Sequence, residues 1–270
     1  MKKSPWALLP LLLLLLVCAS GALAQDIQPV GKAVGKDAQG NVIRQARVGG
    51  IDMGYKLMGN GEPLVLIPGL GMTMDRWPQA VLEAFGKKRQ LIVLDNRGMG
   101  HSTADGTPFS YPLFAADVIG LMDALGVKRA DVLGFSMGST ITQQLLLSHP
   151  DRFNKAIIHA TTTDGGPVAD GLRKRTYTDP IILRQLAASA TWKTPLDKLP
   201  AIPNQTLLLV GTADPVVGSE SSKVIASAIP GAWLVQIKNA SHGLILEAPE
   251  QFTKIVLTFL DVDATVKPRN

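Results

Sequence analysis

The segment Gly134-Phe135-Ser136-Met137-Gly138 carries the residue types and spacing that most directly imply chemistry. It follows an apolar run, 131–135, and precedes a stretch, 139–147, compatible with a helix. A G-x-S-x-G at a strand-to-helix turn holds its serine exposed in a strained conformation. The turn is so tight that the positions two before and two after the serine meet neighbouring backbone. The helix start adds unpaired N–H groups and the positive end of a dipole. Ser136 is therefore the candidate nucleophile. A serine hydroxyl needs a base. Beyond residue 24 the histidines are His101, His149, His159 and His242. His101 sits in a Gly-rich turn, His149 at a helix end, and His159 at the end of an apolar run. His242, in Ala240-Ser241-His242-Gly243, follows the last such run. Loops at the carboxyl ends of strands are where open sheets place their sites, so His242 is the expected base. An acid must fix its tautomer. Asp214 follows the run 207–210 and is the expected acid, with Asp164 as its rival. A tetrahedral oxyanion needs two convergent donors. These are expected from the N–H of Met137 and of Leu70, with Gly71 as the alternative to Leu70.

The elements that must position these residues are legible as two periodicities. Apolar runs recur at 64–67, 91–94, 131–135, 156–158, 207–210 and 233–237. They do not alternate apolar with polar, which is how strands buried on both faces of a parallel sheet read. Between them, Phe114, Val118, Leu121, Met122 and Leu125 share one helical face, and Phe252, Ile255, Val256, Phe259 and Leu260 share another. Gly126 stops the first helix and Pro249 suits the first turn of the second. Segments 43–48 and 53–57, joined at Gly49-Gly50, read as an antiparallel pair. Strands alternating with helices predict a mostly parallel, doubly wound α/β sheet with helices on both faces. Residues 25–40 lack periodicity and are expected to form a flexible arm. Residues 41–262 read as a single domain, with 162–205 inserted over one sheet edge and one helix expected at 181–190. Residues 263–270 are expected to be a tail.

Taken together, these motifs resemble the α/β-hydrolase superfamily over roughly residues 45–262. The matches come in order: Pro68-Gly69-Leu70-Gly71, the turn from Asp95 to Ser102, the elbow at Ser136, then Asp214 and His242. The resemblance implies an α/β-hydrolase fold with a Ser136–Asp214–His242 triad and an oxyanion hole from Leu70 and Met137. It also implies acyl-enzyme chemistry on a small ester or related acyl substrate, with no cofactor and no metal. The turn Asp95-Asn96-Arg97-Gly98-Met99-Gly100-His101-Ser102 looks like the family's D-x-R-G-x-G-x-S and is expected to serve folding. Serine rather than aspartate at the elbow argues against dehalogenase and epoxide hydrolase chemistry. Two departures stand out. Pro68-Gly69 replaces the frequent His-Gly, and the insertion is short where relatives often carry a substantial helical cap. The expectation is a small or absent lid and an open, shallow site. Lactonase, amidase or cofactor-free perhydrolase activity on the same triad stays open, as does a non-catalytic binding role.

Composition bounds the rest. The 270 residues suffice for one large core, and 46% hydrophobic content argues against disorder. Net charge is +5, yet Lys87-Lys88-Arg89 and Arg173-Lys174-Arg175 are not interleaved with aromatics, so nucleic acid is not an expected partner. Adsorption to a membrane or polymer through Arg173–Lys174–Arg175 is a separate possibility. Lys2 and Lys3, six leucines from Leu11 to Leu16, and Ala22-Leu23-Ala24 form a secretory signal layout. Residues 1–24 are therefore expected to be cleaved on export to the periplasm or beyond. The apolar core is too short for the roughly 20 residues of a spanning helix. Cleavage would remove Cys18, the only cysteine, and with it any disulfide or thiol chemistry.

Overall fold

Residues 27–175 and 177–262 are described by a computed structural model. The expected signal segment and C-terminal tail lie outside the described residues. The strands are β1 (Lys32–Lys36), β2 (Val42–Val48), β3 (Ile51–Met58), β4 (Glu62–Ile67), β5 (Arg89–Leu94), β6 (Ala130–Phe135), β7 (Phe153–His159), β8 (Gln205–Gly211) and β9 (Trp233–Ile237). The helices are α1 (Gln79–Gly86), α2 (Tyr111–Ala124), α3 (Met137–Ser148), α4 (Gly165–Arg173), α5 (Pro180–Ala190), α6 (Glu220–Ala228), α7 (Leu244–Glu247) and α8 (Pro249–Asp261).

The strands form one sheet in the order β1-β2-β3-β5-β4-β6-β7-β8-β9, antiparallel from β1 through β5 and parallel from there on. Its parallel strands are buried on both faces, which explains their continuous apolar runs. Alternate side chains feed two cores: Val65, Ile67, Ile92 and Val132 on one face, Leu64, Leu66, Val93 and Leu133 on the other. α2, α3 and α6 cover the first core, and α1 and α8 cover the second. On α8, Phe252, Val256 and Phe259 are fully buried, each worth on the order of 2 kcal/mol. Ser110 caps α2 by accepting the Leu113 N–H at 3.3 Å, and Gly126 leaves the helix at φ 70°.

The mostly parallel, doubly wound reading holds. The arm does not extend as far as expected: residues 32–36 form β1, paired antiparallel with β2. The strand carries little apolar signal because it is an exposed, lysine-bearing edge, held by backbone hydrogen bonds rather than by burial. The insertion between β7 and β8 holds α4 and α5, and α5 covers the residues expected to be helical.

Topology brings the candidate residues together. The chain runs from β4 to β5 on one side and then to β6 on the other, so β4 and β6 are neighbours across the point where strand order reverses. A crevice opens there at the strands' carboxyl ends. The loop after β4 and the turn after β6 share that crevice, and the loops after β8 and β9 approach it from one side.

Candidate active site

Ser136 sits between β6 and α3 at φ 54° and ψ −118°, a backbone region costly for any residue but glycine. Its N–H donates to the His159 carbonyl at 2.9 Å, and its carbonyl accepts the Ser139 N–H at 2.8 Å. The two elbow glycines are required by space. A Cβ at Gly134 would lie 2.1 Å from the Gly138 carbonyl oxygen, and one at Gly138 would lie 2.1 Å from that of Ile67. The second contact also shows why β4 and the elbow approach so closely.

The structure brings together Ser136, His242 and Asp214, which lie far apart in sequence. His242 Nε2 is 2.9 Å from Ser136 Oγ, and His242 Nδ1 is 2.8 Å from Asp214 Oδ2. An ionised carboxylate only accepts, so Nδ1 carries the proton and Nε2 presents its lone pair to the serine hydroxyl. Burial pushes the Asp214 carboxyl up, but the hydrogen bond and charge of His242, with the N–H groups of Val217 and Val216, outweigh it and hold it below the usual carboxylate range. Asp214 thus stays ionised while buried. The rival Asp164 is elsewhere: it caps α4 by accepting the Gly166 N–H at 2.9 Å and pairs with Lys193.

Leu70 and Met137 both line the pocket beside Ser136, and neither backbone N–H is taken by another described residue. Gly71, the alternative donor, is engaged: its N–H donates to Gln185 Oε1 at 2.8 Å. The loop after β4 is held from the other side by Asn96, whose Nδ2 donates to the Pro68 carbonyl at 3.0 Å. The turn from Asp95 to Ser102 has the structural character expected of it. Asp95 accepts the N–H groups of Met74 at 2.6 Å and His101 at 2.8 Å, and Arg97 makes a two-point pair with Asp117 at 2.8 and 2.6 Å.

The other histidines are not at the nucleophile. His149 is half-buried beside the exposed Ser148, and His101 faces a separate cleft with Lys56 and Asp75. His159 is fully buried between Phe135 and Phe252, with its Nδ1 3.0 Å from the Leu209 carbonyl and no partner for Nε2 among the described residues. That carbonyl can only accept, so Nδ1 donates and Nε2 is bare. Phe135 also touches the His242 ring, at 5.2 Å between centroids.

The short insertion, expected to leave a small or absent lid, places two short helices, α4 and α5, beside the site. Ser136 is partly exposed, but α4 contributes Gly165, Val168 and Leu172 and α5 contributes Ser189 to a pocket beside it. A second lobe, on the His242 side, is lined by Met72, Phe135, Val216, Arg175 and Tyr177, among others. The lining residues Tyr111, Thr140 and Ser189, and the tether Gln185, were not singled out from the sequence. The available signal was Gln185 and Ser189 lying on the same face of α5 as Ile181, Ile182 and Leu186, where polar residues are buried at a cost.

Comparison with known proteins agrees with the fold. Residues 62–191 match the family model for the alpha/beta hydrolase fold. A Synechocystis protein named "Putative non-heme chloroperoxidase" is 27% identical over 78% of this chain and 95% of its own. The solved enol-lactonase of Burkholderia xenovorans superimposes with a TM-score of 0.71 at 26% identity, covering 81% of this chain and 100% of that one. A solved hydrolase from Pseudomonas aeruginosa gives 0.70 at 27% identity, over 82% and 98% of the two chains.

Proposed function

This chain belongs to the α/β-hydrolase superfamily, and on that premise we propose that it is an exported serine hydrolase cleaving carboxylic ester or related acyl bonds. The observation that carries the reading is the unbroken hydrogen-bond sequence from Ser136 Oγ through His242 to Asp214, at 2.9 and 2.8 Å. In this reading Ser136 Oγ attacks the acyl carbon as its proton passes to His242 Nε2. Asp214 holds the imidazole in the tautomer with Nδ1 protonated and stabilises the imidazolium that forms. The free N–H groups of Leu70 and Met137 converge on the oxyanion. His242 then protonates the departing group, and water activated by the same nitrogen releases the acid from the acyl-enzyme.

A second reading has its own support. The chloroperoxidase name of one relative favours peroxide in place of water as the acyl acceptor on the same residues, and the enol-lactonase favours a cyclic ester as substrate. Among the described residues no helix is long and apolar enough to cross a membrane. Export rests on the signal layout of residues 1–24, so the exported chain begins at Gln25.

The test uses exported protein whose N-terminus is first sequenced. Hydrolysis of p-nitrophenyl esters from two to sixteen carbons is measured with Ser136→Ala alongside. The expected outcome is turnover that falls by at least about 10³-fold in the variant. Undiminished turnover in Ser136→Ala, or no fluorophosphonate labelling of Ser136, rules the reading out. Turnover that requires added peroxide and acetate selects the second one.

A further inference from the structure

The space around Ser136 divides at the nucleophile. The lobe lined by His242 measures about 130 Å³, and the lobe lined by Tyr111, Thr140 and Ser189 about 30 Å³. Resting on the serine-hydrolase reading, the departing group must come within reach of His242 Nε2 to receive its proton, which places it in the larger lobe. The acyl group then occupies the smaller one, which has room for on the order of two or three water-sized groups.

That smaller lobe is not an alkyl slot. Tyr111 opens α2, Thr140 lies on α3 and Ser189 on α5, and all three are buried. Tyr111 Oη lies 3.2 Å from Ser189 Oγ, and Thr140 lines the same lobe beside them. Burial raises the Tyr111 phenol above its ordinary range, so it keeps its proton. The Tyr111–Ser189 link uses one of that pair's two hydroxyl hydrogens. The other hydrogen of the pair has no hydrogen-bond partner among the described residues. A buried donor without an acceptor costs about 1–3 kcal/mol, whereas the same donor facing a ligand oxygen gains a bond.

We propose that the Tyr111–Thr140–Ser189 lobe selects a short acyl group with an acceptor oxygen on the carbon next to the carbonyl, such as an alkoxy- or hydroxyacyl group, over an alkyl acyl group of equal length. If the hydroxyls served only to tie α2 to α5, replacing them would change both kinds of substrate alike.

The experiment compares kcat/KM for p-nitrophenyl methoxyacetate and p-nitrophenyl butyrate, whose acyl groups have the same number of non-hydrogen atoms. The full chain is measured beside Ser189→Ala and Tyr111→Phe, the latter retaining the ring that packs on Phe114 and Trp192. The greater intrinsic reactivity of methoxyacetate cancels when its ratio to butyrate is compared between proteins. The expected result is a ratio lowered roughly three- to tenfold in each variant, the worth of one hydrogen bond. A variant that folds poorly loses both esters together, and the other still decides. An unmoved ratio in a folded variant, or no turnover of either ester with Ser136 still labelled by a fluorophosphonate, overturns the proposal alone. No turnover together with no labelling overturns the serine-hydrolase reading as well.

Discussion

At the scale of single residues, the site depends on keeping one charge and one tautomer fixed. Asp214 is buried yet ionised because His242 and two backbone N–H groups outweigh the cost of its burial. Removing the charge while keeping the shape separates these roles. Asp214→Asn can present an N–H to His242 and favour the tautomer in which Nε2 holds the proton and cannot accept another. We expect kcat to fall by about 10⁴-fold with the fold retained, the loss seen when a triad carboxylate becomes an amide. Acyl turnover measured near neutral pH checks this, and a loss below about tenfold would mean that Asp214 does not orient the base. Ser136 shows a related economy: its positive φ is tolerated because Gly134 and Gly138 leave space on both sides and the His159 carbonyl pins its N–H.

At the scale of elements, α5 takes part in the site as well as covering it. It is tied to the oxyanion loop by the bond from Gly71 N–H to Gln185 Oε1, and Gln185 is 0% exposed. Ile182 packs against Gly71, and Ile181 packs so closely on Gly98 that a Cβ there would lie 2.9 Å from it. Gln185 Nε2 has no partner among the described residues, so the carbonyl end of this side chain is the part that works. In the proposed mechanism Gln185 is therefore a positioning residue for the Leu70 donor. Gln185→Leu leaves the Gly71 N–H without an acceptor and frees the loop. We expect kcat to drop roughly ten- to hundredfold with KM moved less, short of the 10²–10³-fold cost of deleting a donor outright. Gln185→Glu keeps an acceptor and should restore most of kcat. Equal losses in both variants, or a change confined to KM, would leave α5 as a wall only.

At the scale of the whole molecule, stability against acid depends on a group outside the triad. His159 lies at the end of β7 with Nδ1 donating to Leu209 and Nε2 facing no acceptor, so burial lowers its pKa from 6.5 to about 4. The folded state holds it neutral while the unfolded chain binds a proton from about pH 6.5 downward. Its contribution is complete above that value and is lost as pH falls from 6.5 towards 4, by roughly 3 kcal/mol. Asp131, pushed up by burial to about 6, acts with the opposite sign in the same window. A difference between two proteins cancels that contribution. His159→Phe keeps a ring between Phe135 and Phe252, and the Leu209 carbonyl retains the Ala160 N–H at 3.0 Å. Urea unfolding at pH 7 and pH 4 should show the wild type losing about 3 kcal/mol more than the variant. Parallel losses would mean that His159 titrates normally in the fold.

The amino-acid sequence by itself determined the parts of this protein that are local and repetitive. Apolar runs without alternation marked the parallel strands, because side chains on both faces of such a strand are buried. The elbow was legible at Gly134-Phe135-Ser136-Met137-Gly138 because steric limits on a tight turn fix residue types at fixed spacing. Asp214 and His242 were legible because each follows a strand end. Tertiary structure alone decided what closes around those residues. Gln185 meets Gly71 across 114 positions of sequence, and Tyr111 meets Ser189 across 78. Such contacts leave no periodic trace, since each partner looks locally like an ordinary helical residue. For the same reason β1 was invisible: an edge strand is held by backbone bonds to β2, and backbone groups are the same at every residue but proline.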